Sequence, residues 1–364
     1  MSIKRTEPKP LPITIITGFL GAGKTTLLNK ILNGNHGMRV AVLVNDFGSV
    51  NIDSELIVGV EGETISLSNG CICCTIRDDL LDAVFRLILA DNGPEYVVIE
   101  TSGVSDPFAV AQTFLIPELK PYVQVDGIIT VVDAEQVRDL KDEQEVLAMD
   151  QISAADILVL NKADLVSQQQ LDDVKSWIRA IVPKARILET THGNVPLELI
   201  LSIGEYTPER LASREKRDIH VHASDGRHDH EHGDEHHLDH TTVFNTWMYS
   251  VAEPLSFRAL RDVIQDLPET IYRAKGFLDL KEYPKNKCIL HVVGRRAMLT
   301  VSEPWGDQPR QSRLVFIGSN GGVDPAVLEP MLDACRANRA AAKHETKLAN
   351  ALDWMRKARE KGDL

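Results

Sequence analysis

The chain has 364 residues, which is enough for two domains and a substantial hydrophobic core. Its 53 acidic residues outnumber its 40 basic ones, and the net charge of −13 argues against nucleic acid or an anionic membrane surface as a partner. The first ten residues lack an apolar signal-peptide core, no apolar run approaches membrane-spanning length, and the five cysteines do not form a disulfide framework. We therefore expect a protein of a reducing compartment, most simply the cytoplasm.

After a predicted tail over residues 1–10, short apolar runs alternate with amphipathic stretches as far as residue 203. The apolar runs predict buried strands at residues 12–17, 39–45, 96–100, 127–132 and 157–160. Helices are predicted between them, for example at residues 80–89 and 170–181. This alternation is typical of an α/β domain whose doubly wound, mainly parallel sheet has helices on both faces. Its ligand site is expected at the carboxyl ends of the strands.

The composition changes abruptly after Gly204. Residues 204–242 are polar, charged and rich in histidine, which predicts a flexible linker. Residues 243–337 predict a smaller α+β domain with strands at 243–251, 288–293 and 313–317 and a helix at 257–267. In its first strand Trp247, Tyr249 and Val251 share one face. Residues 338–364 predict a charged helix.

A glycine-rich loop follows the first predicted strand and precedes a helical pattern. Residues 18–25 fit the pattern G-x-x-x-x-G-K-[ST], in which backbone N–H groups and a helix amino terminus hold phosphate oxygens. Lys24 is expected to reach the β- and γ-phosphates as a catalytic residue, and the Thr25 hydroxyl to bind Mg²⁺. The alternative is a chance glycine-rich turn. The predicted nucleotide contacts in this loop are Gly18, Gly21, Ala22, Gly23, Lys24, Thr25 and Thr26.

A second nucleotide motif, Asn161-Lys162-Ala163-Asp164, follows the strand predicted at residues 157–160. Asn161, Lys162 and Asp164 are therefore predicted to contact the base. The Asp164 carboxylate can accept both N1–H and the exocyclic amine of guanine, an edge that adenine lacks, so the motif favours GTP over ATP. Alternatively, Asp164 only starts the following helix.

Two acidic residues follow predicted strands and are candidate catalytic residues. Glu100 ends the strand at residues 96–100 and is followed by Gly103, as in P-loop enzymes that hold the Mg²⁺ shell and sense the γ-phosphate there. The alternative is that Glu100 caps the next helix. Asp46 lies on the loop after the second strand, where it is predicted to polarise the attacking water or to contact a metal.

Three cysteines, Cys71, Cys73 and Cys74, lie within four positions after Asn69-Gly70. Three thiolates do not complete a tetrahedral site, so a further ligand must come from elsewhere. Cys71 and Cys73 share a face in an extended segment, whereas Cys71 and Cys74 do so in a helical turn, so a conformational change can make or break the ligand set. Soft thiolates favour zinc, with cobalt also a candidate, and the alternative is buried structural cysteines. Because the phosphate loop is near in sequence, we expect nucleotide state and metal binding to be coupled.

The linker concentrates histidine. Eight of the twelve histidines lie between residues 220 and 240, interleaved with Asp and Glu. Imidazole and carboxylate groups in a flexible segment form weak, interchangeable metal sites, although a plain solvated linker is the alternative.

The chain resembles the CobW-type family of metal-associated P-loop GTPases through the stretches ITGFLGAGKTT, LVNDFG, LSNGCICCTIRDDL, VIETSG, VVDA and LNKADL. The stretch RAKGFLDL resembles part of the family's carboxyl-terminal domain. The resemblance implies a P-loop GTPase domain over residues 11–203 that ferries a transition metal, most commonly zinc, to a client metalloprotein. It places the metal site at Cys71, Cys73 and Cys74 and the switch acidic residue at Asp46. Aspartate stands there instead of the more usual glutamate, and Ser49 stands where a second acidic residue is common.

We therefore predict a slow GTPase with GTP or GDP, Mg²⁺ and Zn²⁺ as its ligands, which releases the metal to a client when GTP is hydrolysed. Cobalt supply for cobalamin synthesis is one alternative. A second is a metal-storage or sensing protein in which GTP controls only partner binding. The sequence leaves the client and the formation of a homodimer open.

Overall fold

The computed structural model describes residues 10–34, 38–44, 64–66, 75–90, 93–201 and 244–339. The strands of the first domain are β1 Leu11–Thr17, β2 Val40–Val44, β3 Thr64–Ser66, β4 Tyr96–Glu100, β5 Val123–Asp133, β6 Ile157–Asn161 and β7 Ile187–Glu189. They form one seven-stranded sheet in the order β3-β2-β4-β1-β5-β6-β7, and every neighbouring pair is parallel. From β1 the chain forms β2 and β3 on one side and returns to β4 beside β1, and then β5, β6 and β7 extend the sheet on the other side. This reversal places a crevice at the carboxyl end of β1.

Six helices accompany this sheet within the described ranges. They are α1 Lys24–Leu32, α2 Thr75–Leu89, α3 Pro107–Thr113, α4 Glu143–Ala154, α5 Gln168–Ile181 and α6 Leu197–Ile200, with 3₁₀ turns at Val137–Asp139 and Ala163–Leu165. Helices α2 to α5 cover the face that carries Ile15, Ile128 and Leu158. Helix α1 covers the opposite face, which carries Ile16 and Ile129. Burial on both faces explains why these strands are almost wholly apolar.

The second domain is an antiparallel sheet with helices on one face. Its elements are β8 Phe244–Val251, α7 Phe257–Gln265, β9 Ile271–Leu278, β10 Asn286–Val293, β11 Arg296–Pro304, β12 Ser312–Ser319 and α8 Pro325–Asp333. The strand order is β11-β10-β9-β12-β8. Leu260 of α7 and Leu328 of α8 pack against Tyr249 and Phe316 of the sheet. The predicted common face of the first strand is confirmed, because Trp247 and Val251 lie in this cluster with Tyr249.

The other face of the second sheet packs against the first domain. Tyr272, Val293 and Ile317 belong to the same buried cluster as Ile129 and Val159 of the parallel sheet. One face of the parallel sheet is therefore covered by α1 together with the second domain, and not by helices alone as predicted. The predicted fold class, a parallel α/β domain followed by an α+β domain, is confirmed.

A buried polar cluster crosses this domain interface. Asp126 of β5 accepts hydrogen bonds from the Tyr96 hydroxyl, from Arg273 Nη1 at 3.0 Å and from His291 Nε2 at 3.1 Å. Arg273 also donates to the carbonyl oxygen of Leu199 at 2.7 Å. Burial raises the pKa of Tyr96 well above its usual value and lowers the pKa of His291 to about 4, so the tyrosine is protonated and the histidine neutral at pH 7. We call Tyr96, Asp126, Arg273 and His291 the Asp126 cluster.

The predicted strands and helices are present where the structure describes them, with ends that differ by a few residues. It adds strands β3, β7, β9 and β11 and helices α3, α4, α6 and α8. The linker predicted at residues 204–242 and nearly all of both termini lie outside the described residues. Within the described ranges, no helix combines the length and the apolar character needed to cross a bilayer.

Candidate functional site

The glycine-rich loop between β1 and α1 has backbone angles that require glycine. Gly18, Gly21 and Gly23 have φ values of 137°, 76° and 103°, a region that side chains disfavour. A Cβ atom at Gly23 would lie only 2.3 Å from Asn161 Nδ2. Glycine therefore lets the loop turn tightly into the amino end of α1, which begins at Lys24. Such a loop presents N–H groups and a helix dipole to an anion.

Three of the predicted side chains meet beside this loop. Lys24 is 8% exposed, and its Nζ donates to the carbonyl oxygen of Phe19 at 3.3 Å. The Thr25 hydroxyl donates to Glu100 Oε1 at 2.8 Å. Glu100 is 1% exposed and ends β4, where it pairs in register with Ile16 of β1. A hydroxyl and a carboxylate side by side are the hard oxygen donors that Mg²⁺ prefers, so this pair fits the ion.

The neighbourhood of Glu100 bears on its alternative role as a helix cap. Helix α3 is capped by Asp106, whose carboxylate accepts from the N–H of Phe108 at 2.8 Å. Glu100 lies instead at the carboxyl end of the interior strand β4, where it accepts a hydrogen bond from Thr25. Thr26 is exposed on the first turn of α1. Asp46, the other predicted catalytic residue, lies outside the described residues.

Asn161 connects the phosphate loop to two other loops. It ends β6, is 2% exposed, and donates from Nδ2 to the carbonyl oxygen of Ala22 at 2.9 Å. Its Oδ1 accepts from the N–H of Gly193 at 2.9 Å. Both groups of the amide are therefore satisfied, and replacing Asn161 would disturb the phosphate loop and the loop after β7 together.

Lys162 and Asp164 lie next to Asn161 in the predicted base motif. Lys162 has a left-handed backbone with φ of 59°, and its Nζ pairs with Asp133 Oδ2 at 2.7 Å. Asp164 is exposed in the 3₁₀ turn Ala163–Leu165. It does not start the next helix, because α5 begins at Gln168 and is capped by Ser167. The Asp164 carboxylate is thus available to a ligand.

Three residues that sequence reasoning missed complete the site. Asp133 holds Lys162 and itself accepts from the backbone N–H groups of Glu135 and Gln136 at 2.9 and 3.2 Å. Gly193 lies in a loop after β7 with φ of 64°. Gln151 of α4 contacts the loop that follows Glu100. The position of Asp133 and of the Gly193 loop at carboxyl ends of parallel strands was the signal that could have identified them.

The predicted thiolate site lies outside the described residues, as does the histidine-rich tract. Within the described ranges, no three His, Cys, Asp or Glu side chains are grouped closely enough to hold a metal ion. Cys288 and Cys335 are buried in the second domain. Desolvation raises the pKa of Cys288, which disfavours its metal-binding thiolate form.

Comparison with known proteins agrees with this geometry. Residues 12–189 match the nucleotide-binding domain of CobW, HypB and UreG, and residues 244–336 match the carboxyl-terminal domain of the cobalamin synthesis protein CobW. The chain is 32% identical over 357 residues to the zinc chaperone CobW of a Sinorhizobium species, covering 90% of this chain and 98% of that one. The chain belongs to the CobW family. As a member it is a P-loop GTPase, which confirms the predicted enzyme class.

Other members of the CobW family are similarly related. The zinc-regulated GTPase metalloprotein activator 1 of Dictyostelium discoideum is 31% identical over 398 residues, covering 89% of this chain and 79% of that one. The zinc chaperone YjiA of Escherichia coli is 31% identical over 315 residues, covering 85% of this chain and 94% of that one. Family membership extends over both domains.

Proposed function

We propose that this GTPase is a metallochaperone that binds zinc at Cys71, Cys73 and Cys74 in a GTP-dependent way and delivers it to a client metalloprotein. The relatives named as zinc chaperones support zinc as the cargo. The name of the Dictyostelium relative, a metalloprotein activator, supports a client of that class. Thiolate chemistry favours the same metal.

The observation that carries the proposal is the position of β2 and β3, the strands that precede the segments with Asp46 and with the cysteines. In the parallel sheet Val44 of β2 is in register with both Ser66 of β3 and Glu100 of β4. The segment with Asp46 follows β2, and the segment with the cysteines follows β3, so both leave the edge of the sheet that carries Glu100. Cys71 is five residues beyond Ser66, so the chain confines it to within about 18 Å of the end of β3.

In this mechanism the described residues bind and orient GTP. Asp164 accepts hydrogen bonds from the guanine edge, and the phosphate loop with Lys24 holds the β- and γ-phosphates. Thr25 and Glu100 would hold Mg²⁺, which when bound neutralises charge on those phosphates. Glu100 and the following residues 101–105 respond to the γ-phosphate.

Asp46 is proposed to orient the water that attacks the γ-phosphorus. A bond forms between the water oxygen and that phosphorus, the bond to the β–γ bridging oxygen breaks, and GDP and inorganic phosphate leave. Loss of the γ-phosphate relaxes the loops after β2, β3 and β4, which weakens the thiolate site and frees zinc for the client.

Zinc titration in the presence of GDP or a non-hydrolysable GTP analogue tests the proposal. A competing chelator dye reports the free zinc. The analogue should tighten the strongest site by roughly 5- to 150-fold relative to GDP, and zinc should tighten binding of the analogue by the same factor. Serine at positions 71, 73 and 74 should remove this site with little change in nucleotide affinity.

Light scattering on the same samples distinguishes a monomer from a homodimer.

Other outcomes would favour other functions. Several weak zinc equivalents that ignore the nucleotide, and disappear when residues 220–240 are deleted, would indicate storage or sensing instead of delivery. Nucleotide-dependent binding that is tighter for cobalt than for zinc would indicate cobalt supply. Equal zinc affinity with and without nucleotide, at a site that depends on the cysteines, would refute the coupled mechanism.

A further inference from the structure

Gln151 is a polar residue in the interior of the GTPase domain, on helix α4. It is 1% exposed and lies between the buried residues Ala148 and Ile152. Its Nε2 group donates to two carbonyl oxygens, that of Gly103 at 3.1 Å and that of Ser105 at 3.3 Å. One buried amide therefore holds two points on the loop that follows Glu100.

The helix that carries Gln151 is itself tied to the sheet at this residue. The Gln151 carbonyl oxygen accepts a hydrogen bond from the Thr130 hydroxyl at 2.8 Å. Thr130 is in register with Thr17, the last residue of β1 before the phosphate loop. Gln151 thus connects the loop after Glu100 to the strands β1 and β5 that support the phosphate loop.

The loop held by Gln151 also lies directly against the phosphate loop. A Cβ atom at Gly103 would lie 2.7 Å from Leu20 Cδ2 and 2.8 Å from the Leu20 backbone nitrogen. Within the loop, the N–H of Ser105 donates to the Ser102 carbonyl oxygen at 3.1 Å. The carbonyl groups of Gly103 and Ser105 instead point to Gln151. A small shift of these peptide groups would therefore move the backbone that lies against the phosphate loop.

The Gln151 side chain lies beside a small cavity. Its Oε1 atom is buried and has no hydrogen-bond partner among the residues that the structure describes. Gln151 lines this cavity of about 20 Å³ together with Phe19, Leu20 and Val131, and the cavity has room for one water molecule. An apolar side chain of the same shape would remove the donor that the carbonyl oxygens of Gly103 and Ser105 share. The amide is explained by the two carbonyl groups that it holds.

We propose that Gln151 is a positioning residue for GTP hydrolysis, which sets the backbone of residues 103–105 where it meets the γ-phosphate. This inference rests on the role proposed above for Glu100 and residues 101–105. The effect of Gln151 should differ between GTP and GDP, because GDP has no γ-phosphate and does not contact that backbone. Gln151 itself touches neither the nucleotide nor the attacking water.

Gln151→Met tests the proposal, because methionine keeps the length of the side chain and removes both donated hydrogen bonds. We expect kcat to fall by about tenfold and the preference for a GTP analogue over GDP to fall by a similar factor, while GDP affinity stays within about twofold. Gln144→Met, at an exposed position in the first turn of the same helix, is the matched control and should change neither quantity. Thermal unfolding of each variant checks that it is folded.

Gln151→Glu supplies a readout that a structural role alone would not affect. A buried carboxylate opposite two carbonyl groups repels them, whereas the protonated acid can donate to one. The kcat of Gln151→Glu relative to wild type should therefore rise as pH falls from about 8 to about 6. The relative kcat of Gln151→Met should stay constant over the same interval.

Several outcomes would overturn the inference. A kcat within about twofold of wild type for Gln151→Met would show that the two hydrogen bonds do not position the loop. Equal losses of GDP and GTP-analogue affinity, or a relative kcat of Gln151→Glu that is flat with pH, would show a structural role only. Glu100→Gln separates this failure from that of the proposed function. If Glu100→Gln keeps full activity, the proposed role of the whole loop is wrong. If Glu100→Gln loses activity and the Gln151 variants keep it, the loop keeps its role and Gln151 does not position it.

Discussion

Acidification should weaken the folded state through His291, the histidine of the Asp126 cluster. Burial lowers the pKa of this residue to about 4, and the charges of Lys275 and Arg273 add to the effect while Asp126 opposes it. In an unfolded chain the pKa of histidine is about 6.5. The folded-state pKa is therefore the lower one, so the stabilisation is complete above about pH 6.5 and is lost as pH falls toward about 4. At about 1.4 kcal/mol for each pH unit, the full loss is about 3 kcal/mol.

Urea unfolding of the wild type and of His291→Gln measures this loss directly. Gln124 Nε2 lies 3.4 Å from His291 Nδ1. Glutamine at position 291 can still donate to Asp126 and accept from Gln124, but it does not titrate. Between about pH 7.5 and pH 5 the free energy of unfolding should fall by about 2 kcal/mol more in the wild type than in the variant. His192→Gln, which removes an exposed histidine, is the control and should keep the wild-type slope. Identical slopes for the wild type and His291→Gln would refute the assignment of a buried neutral imidazole.

Three further predictions concern the nucleotide site. Asp133→Asn removes the ion pair with Lys162 and should weaken GTP and GDP equally, by roughly fivefold in a fluorescent-nucleotide titration, whereas the exposed Asp139→Asn should not. A loss of GTP affinity with unchanged GDP affinity would contradict this role of Asp133. Asp164→Ala should reduce the discrimination between GTP and ATP by roughly 2–4 kcal/mol, and equal affinity of the wild type for both nucleotides would rule out guanine recognition. Lys24→Ala should abolish phosphate release without lowering the unfolding temperature, so retained turnover would mean that the loop does not act as predicted.

The parts of the fold predicted from sequence are those in which local chemistry repeats along the chain. Strands buried on both faces consist of apolar residues, so β1, β4 and β6 were recognisable from short runs. Strand β9 was not, because Arg273 and Lys275 interrupt its apolar pattern, and both face the first domain. Strand β11 is an edge strand with residues that are largely exposed or half-buried, so its pattern is weak.

The same distinction applies to the site. The phosphate loop and the base motif were predicted because glycine conformations and strand ends determine them over a few consecutive residues. The residues that complete the site, Asp133 and Gln151, were not predicted, because they are distant in the chain from the residues that they contact. Asp133 lies 29 residues before Lys162, and Gln151 lies 48 residues after Gly103.

By itself, the sequence determined the glycine-rich phosphate loop, the predicted base motif and the alternation of strands and helices, since each depends on spacing within one segment. The tertiary structure alone decided that β4 and β5 flank β1, which brings Glu100 to Thr25 and Tyr96 to Asp126. It also decided that a neutral His291 and a charged Arg273 from the second domain complete a buried cluster with Asp126. Strand order and domain packing select these contacts, and the free energy of burying such groups depends on partners that no local pattern specifies.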